Sequence, residues 1–289
     1  MDRPLNGVVA VVTGASRGAG KGIALALGAQ GATVYVTGRS QQEGDAPLPG
    51  TIHATAAAVT QAGGRGIAVV CDHARDRQVR ALFEQIKREQ DGRLDILVNN
   101  ATVIHDRLID KGPFWKKPLA LVDILEVGLR SAYVASWYAA KLMARRKNGL
   151  IAFTSSFGAS CYMHGPAYGA QKAGVDKLAR DMAVDLRPYH VAAVSIWMGM
   201  LKTERTRRVM DQDPQKYAGF WEIAETPEFT GRLIAALYRD DKRMEKSGQV
   251  LIGAEAALEY GITDEGGKQP PSHRALLGGP APGHPAVVE

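Results

Sequence analysis

Cysteine is scarce in this chain: Cys71 and Cys161 are the only two in 289 residues. A disulfide framework is thereby excluded, and the pair suits a reducing, cytoplasmic compartment. No Cys/His cluster has zinc-site spacing, so no metal is expected. Long apolar runs are missing too, and nothing approaches the roughly 18 apolar residues of a transmembrane helix. Asp2, Arg3 and Pro4 precede an apolar run that reads as a strand, which is not the form of a signal peptide. Excess charge of one sign is small, a dispersed net +6. That balance suits a binder of a polyanionic cofactor at least as well as a nucleic-acid binder, and no nucleic-acid partner is expected.

What is present is a globular composition, 45% hydrophobic, arranged around one stretch near the start. Val11-Val12-Thr13-Gly14-Ala15-Ser16-Arg17-Gly18-Ala19-Gly20 follows a short apolar run and leads into a helix-like run at 21–30. Strand, glycine turn and helix is the context of a dinucleotide-binding turn. Gly14 and Gly18 let the backbone turn tightly toward a pyrophosphate, and Gly20 lets the helix approach the strand. Ser16, Arg17 and Ala19 are expected at the cofactor with them. The first helical amides then face the phosphates, where the helix dipole favours negative charge. The spacing is T-G-x-x-x-G-x-G, not the commoner G-x-G-x-x-G.

Further apolar, strand-like runs at 33–37, 66–71, 94–98, 150–154, 191–197 and 249–252 alternate with helical patterns at 52–62, 76–89, 119–146, 166–187 and 227–238. That alternation predicts a parallel sheet covered on both faces, with right-handed crossovers. There is no linker and no internal repeat, so one domain is read over 1–261. Residues 262–289 are rich in proline and glycine and read as a tail that buries little, either mobile or crossing onto a neighbouring subunit. Stretches 102–118 and 200–226 read as irregular.

Ligands of such sheets bind beyond the carboxyl ends of the strands. The second strand ends at Arg39. A carboxylate there would bond the ribose hydroxyls of NAD, whereas a guanidinium pairs with the 2′-phosphate of NADP, and Arg17 adds a second charge. NADP is therefore expected before NAD; the plainer alternative is two solvated arginines. Asp72 either contacts the adenine or caps its loop. Tyr168 and Lys172 are four residues apart, on one helix face, with Ser156 upstream at a strand end. A phenol with an ordinary pKa near 10 is a poor base at neutral pH, and a neighbouring ammonium is expected to lower that value. A serine hydroxyl can hold a substrate oxygen while the tyrosine gives or takes its proton. The same spacing recurs at Tyr238 and Lys242, among Arg239, Asp240 and Asp241. With no serine at a strand end upstream, that second pair reads as a solvated face.

These residues, together with Leu97-Val98-Asn99-Asn100-Ala101, Ser155-Ser156 and Gly199 with Thr203, make the chain resemble the short-chain dehydrogenases/reductases from residue 5 to about 253. The resemblance implies an α/β fold, a single-domain Rossmann-like doubly wound parallel sheet of about seven strands with helices on both faces. It implies NADP-linked redox of a carbonyl or alcohol, in a homodimer or homotetramer that pairs the helices at 119–146 and 167–187. Residue by residue, it makes Tyr168 the proton donor/acceptor, and Lys172 the group that lowers its pKa and holds the nicotinamide ribose. Ser156 becomes the oxyanion-stabilising serine, Asn100 approaches the ribose and adenosine side, and Thr203 the carboxamide. Ser156 lies twelve residues before Tyr168 and Ser155 lies at the more frequent thirteen. Ser156 is chosen because it directly precedes the turn, and Ser155 stays open. Three departures stand out. Gly128 occupies the place where many members carry an asparagine of the proton relay. Thr102 follows Asn-Asn-Ala in place of glycine, and Met198-Gly199 replaces Pro-Gly.

The expected function is hydride transfer between NADP(H) and a carbonyl or secondary alcohol on an apolar small molecule. The alternative is an NADP(H)-binding sensor or interaction protein with weak or no catalysis, to which the three departures point. Phe114, Trp115, Tyr162, Trp197, Met198, Met200 and Trp221 are candidates for an apolar pocket, part of which is expected to be core or interface. His105 and His164 read as loop residues, and Arg205, Arg207 and Arg208 as a solvated face.

Overall fold

Alternate residues of the first strand, β1 (Val9–Val12), face opposite cores: Ala10 and Val12 one, Val9 and Val11 the other. A strand buried on both sides must be covered on both sides, and the chain does this by returning through helices. It continues α1 (Gly18–Ala29), β2 (Thr33–Gly38), α2 (Ile52–Gln61), β3 (Arg65–Val70), α3 (Asp76–Glu89) and β4 (Ile96–Asn99). A short α4 turn (Asp123–Leu125) precedes α5 (Ser131–Arg146), β5 (Gly149–Ser155), α6 (Pro166–Leu186) and β6 (Val191–Trp197). Then follow α7 (Glu204–Gln212), α8 (Phe220–Ile223), α9 (Pro227–Arg239), α10 (Arg243–Lys246), β7 (Val250–Ile252), α11 (Gly253–Glu259) and α12 (Arg274–Leu277). This computed structural model describes residues 3–288, so Met1, Asp2 and Glu289 of the expected domain and tail lie outside the described residues.

All seven strands pair in parallel in the order β3-β2-β1-β4-β5-β6-β7. The fold is the single-domain, Rossmann-like doubly wound sheet. One core joins β-strand residues to Ile23 and Leu27 of α1, Ile52 and Val59 of α2, and Leu233 and Leu237 of α9. The other joins them to Leu82 and Ile86 of α3, Ala135 and Ala139 of α5, and Val175 and Ala179 of α6. The strand order reverses between β1 and β4, and the crevice at their carboxyl ends is where such sheets bind ligands.

Two segments differ from the expected pattern. The continuous helix over 119–146 is broken into a 3-10 turn (Leu119–Val122), α4, a π turn (Glu126–Arg130) and α5. The break sits at Gly128, whose backbone oxygen accepts from Gln171 of α6 at 2.9 Å, a tertiary bond that spacing cannot reveal. The polar stretch 200–226 holds α7 and α8, and α7 is capped by Thr203, whose Oγ1 accepts from Thr206 N at 3.1 Å.

The last residues return along their own chain. Asp264 is buried and accepts from Thr226 N and Arg232 Nη2, both at 2.7 Å, which pins the start of α9. Farther on, Arg274 forks onto Glu255 at 2.6 and 2.8 Å, Ser160 Oγ donates to Leu277 O, and Arg180 donates to Ala281 O.

Candidate active site at the carboxyl edge of the sheet

The glycine turn between β1 and α1 is shaped by what it cannot hold. Gly14 has φ +64°, and a Cβ there would lie 2.8 Å from Ala101 Cα. At Gly20 a Cβ would meet Gly14 O at 2.4 Å and Asn100 Nδ2 at 2.5 Å. Asn100 therefore packs directly on the turn. Its Nδ2 donates to Thr13 O at 2.9 Å and Gly14 O at 3.1 Å, so its amide braces the turn from below. Thr13 Oγ1 accepts from the amides of Asn100 and Ala101 at 2.8 and 2.9 Å. The helix α1 begins at Gly18, earlier than the helical pattern suggests, so the Gly18 amide is the first of the N-terminal donors left unpaired within the helix. That amide donates to Glu204 Oε2 at 3.0 Å. A carboxylate from α7 thus sits where a helix N-terminus attracts an anion. Ser16 is buried, Ala19 half-buried, and the Thr203 methyl packs 3.7 Å from the position of a Cβ on Gly18.

At the end of β2, Arg39 is exposed and Arg17 lies close enough for the two charges to repel. Arg17 donates to Ser40 Oγ at 2.9 Å, Pro49 O at 2.9 Å and Gly50 O at 2.7 Å. Two guanidiniums and the Ser40 hydroxyl so border one corner. Asp72 caps its own turn, accepting from Ala74 N at 3.1 Å.

Across the crevice, Ser156 Oγ and Tyr168 OH are 2.8 Å apart. Ser155 is fully buried and its hydroxyl donates to Lys172 O at 3.3 Å, so Ser156 is the serine that meets the phenol. Pro166 starts α6 at the N1 position, a site where its missing N–H costs nothing, and this sets Tyr168 in the first turn. Lys172 is buried, with Nζ donating to Thr154 O at 3.2 Å and standing 5.5 Å from the Tyr168 ring centre. Burial holds its pKa down to about 8, against the pull of Asp176. The expected lowering of the Tyr168 pKa is not what this structure produces. Burial pushes the phenol above its ordinary value, and the bond with Ser156 only opposes that.

Asp176, one turn beyond Lys172, accepts from Ser195 Oγ at 2.6 Å and Trp197 Nε1 at 2.8 Å. His164 has φ +62°, rare outside glycine, and its ring meets that of Tyr168 edge-on at 4.9 Å. On the β6 side, Glu225 is buried, accepts from Gly199 N at 3.1 Å, and is pushed up to about 8 by burial.

A match to the model of the short chain dehydrogenase family spans residues 8–214. The chain belongs to this family. This short-chain dehydrogenase is 42% identical over 281 residues to Dehydrogenase/reductase SDR family member 1 of Homo sapiens, covering 93% of the chain and 86% of that protein. It is 29% identical over 205 residues to a 3beta-hydroxysteroid dehydrogenase of Mediterraneibacter gnavus, covering 69% and 68%. Among solved structures it resembles a short-chain type dehydrogenase/reductase from Mycobacterium marinum, with TM-score 0.71 and 27% identity over 87% of this chain and 96% of that one. Membership implies an oxidoreductase acting on CH–OH or C=O groups with a nicotinamide cofactor. No described helix is long and apolar enough to cross a membrane.

The aromatic residues expected to form a pocket have different surroundings in this short-chain dehydrogenase. Trp197 is core, whereas Phe114, Trp115 and Tyr162 are exposed, and Trp221 carries Arg207 on its face at 3.8 Å. Arg205 pairs with Asp106 at 3.1 Å. Sequence reasoning missed Ser40, Glu204, Glu225 and Gln171. Glu204, Ser40 and Gln171 each adjoin a residue the sequence singled out (Thr203, Arg39 and Lys172), whereas Glu225 had no signal.

Proposed function

We propose that this short-chain dehydrogenase interconverts a carbonyl and a secondary alcohol on an apolar small molecule with NADP(H), using Tyr168 as the proton donor and acceptor. The observation that carries this reading is the 2.8 Å contact of Ser156 Oγ with Tyr168 OH, one helical turn from a buried lysine. NADPH, when bound, supplies the hydride. Ser156 holds the substrate oxygen, and Tyr168, kept protonated at neutral pH by its raised pKa, donates to the oxygen as charge develops on it. Lys172 stands ready to replace that proton and to hold the ribose. The amides of Gly18 and its neighbours, with Ser16 and Ala19, suit a pyrophosphate, and Glu204 must turn aside to admit it. Arg17 and Arg39 with Ser40 suit a 2′-phosphate, which favours NADP over NAD. In this reading Asp72 borders the adenine and Thr203 the carboxamide.

The name of the bacterial steroid dehydrogenase among its relatives supports an apolar ring ketone or alcohol as substrate. Exposed Tyr133 and Trp137 on α5, and Val184 on α6, fit the helix pairing of a homodimer or homotetramer. A cytoplasmic setting fits two free cysteines. NADPH and NADH oxidation with a panel of ketones and aldehydes tests the reading. NADPH-dependent turnover of at least one apolar carbonyl is expected, with the preference over NADH reduced roughly tenfold or more in Arg39→Ala. Tight NADPH binding with no turnover of any carbonyl would support the sensor instead.

A further inference from the structure

Gln171 stands directly before Lys172 on α6 and has no part in the chemistry above. It is 2% exposed, and its Nε2 donates to Gly128 O at 2.9 Å. A carbonyl only accepts, so this bond fixes which way the amide is turned. Its Oε1 is then left buried with no hydrogen-bond partner among the described residues. Buried acceptors are nearly always satisfied, and an exception calls for a reason. Gly128 lies mid-way in the π turn, where the helical ladder slips. A Cβ at 128 would fall 2.9 Å from Gln171 Cγ, 3.0 Å from its Cδ and 3.0 Å from Thr102 Oγ1. The space therefore holds one amide, brought in from α6, and the Thr102 hydroxyl borders it. Two separate oddities of the sequence, Gly128 and Thr102, meet at this one place.

We propose that Gln171 is a positioning residue for the Tyr168–Lys172 pair, clamping their turn of α6 to the π turn opposite and fixing the placement of the ammonium below the phenol. The proposal rests on the oxidoreductase reading. The lysine is otherwise held by Thr154 O on β5, and its charged or titratable neighbours are Tyr168 and Asp176 on its own helix. Glu126 and Arg130, at the ends of the π turn, are exposed. The Gln171 bond adds a tie in a second direction, to the neighbouring helix.

Steady-state kinetics of Gln171→Leu, which keeps the bulk and removes both polar atoms, tests this. kcat is expected to fall about tenfold or more, with a much smaller change in NADPH affinity and a shifted pH profile of kcat. Moving the amide to the other wall, with Gly128→Asn and Gln171→Ala together, is expected to restore kcat and the parent profile. Parent kcat in Gln171→Leu would overturn the proposal. So would a loss that only tracks the folded fraction with the profile unchanged, or a folded swap variant as slow as Gln171→Leu. If Gln171→Leu does not fold, the swap variant decides alone. Full turnover in Tyr168→Phe would overturn the underlying reading instead, whatever happens at 171.

Discussion

The chain carries Y-x-x-x-K twice, and the two copies have opposite fates. Tyr168 and Lys172 share an unbroken helix at the carboxyl edge of the sheet, with a serine hydroxyl against the phenol. Tyr238 lies near the end of α9, which stops at Arg239, so Lys242 has left the helix and is exposed. The second tyrosine is not the solvated residue its charged neighbours suggest. Its hydroxyl donates to Asp95 Oδ1 at 3.1 Å and accepts from Asn148 Nδ2 at 3.0 Å, just before β4 and β5 begin. Asp95 is buried and also takes the Val9 amide at 2.8 Å and Arg93 at 2.6 Å. One tyrosine faces a crevice and the other ties a knot at the amino edge. Spacing becomes chemistry only where the helix continues and the strand ends open toward a ligand.

The comparison can be broken most sharply by removing each hydroxyl. Tyr168→Phe is expected to lower kcat by about 10² to 10⁴ while leaving the melting temperature near that of the parent. Tyr238→Phe should do the reverse, costing about 0.5–1.5 kcal/mol in denaturant unfolding with kcat unchanged, because it removes the hydroxyl that links Asp95 to Asn148. Equal kcat losses would erase the distinction. The lysines sharpen it by pH. Folded Lys172 releases its proton near 8 and the unfolded chain near the ordinary 10.5, so the unfolded state binds more protons between those values. Stability of the free protein is therefore lowest below about 8 and rises with pH across that window. Lys172→Met should flatten the rise in melting temperature, and Lys242→Met should leave it alone. The smallest effect is expected at the glycine turn before α1. Glu204→Gln removes a carboxylate from the Gly18 amide and should tighten NADP(H) binding severalfold by calorimetry, about 0.3–1 kcal/mol. Unchanged affinity would mean that the contact opposes nothing.

The fold was legible because each strand is a short β-branched run between long helical patterns, and burial on both faces leaves few alternatives. Ser156, Tyr168 and Lys172 were legible for a related reason: local spacing and a strand end put them together. The π turn was not, since it depends on Gln171 reaching Gly128 across 43 positions of chain. The helix α7 was hidden by its polarity, having no buried residue to mark a face. The phenol's raised pKa was illegible for the same kind of reason, because spacing reports a neighbour's presence and not how far the phenol itself is buried.

Asn100 joins these distant parts. Lys172 donates to the backbone of Thr154, Thr154 donates to Asn100 Oδ1 at 3.4 Å, and Asn100 grips the carbonyls of Thr13 and Gly14. One string of contacts thus runs from Lys172 to the loop that would cup the diphosphate. The two ends of an elongated guest are gauged against the same ruler, so a guest seated badly at its adenosine half should also arrive askew at its reactive ring.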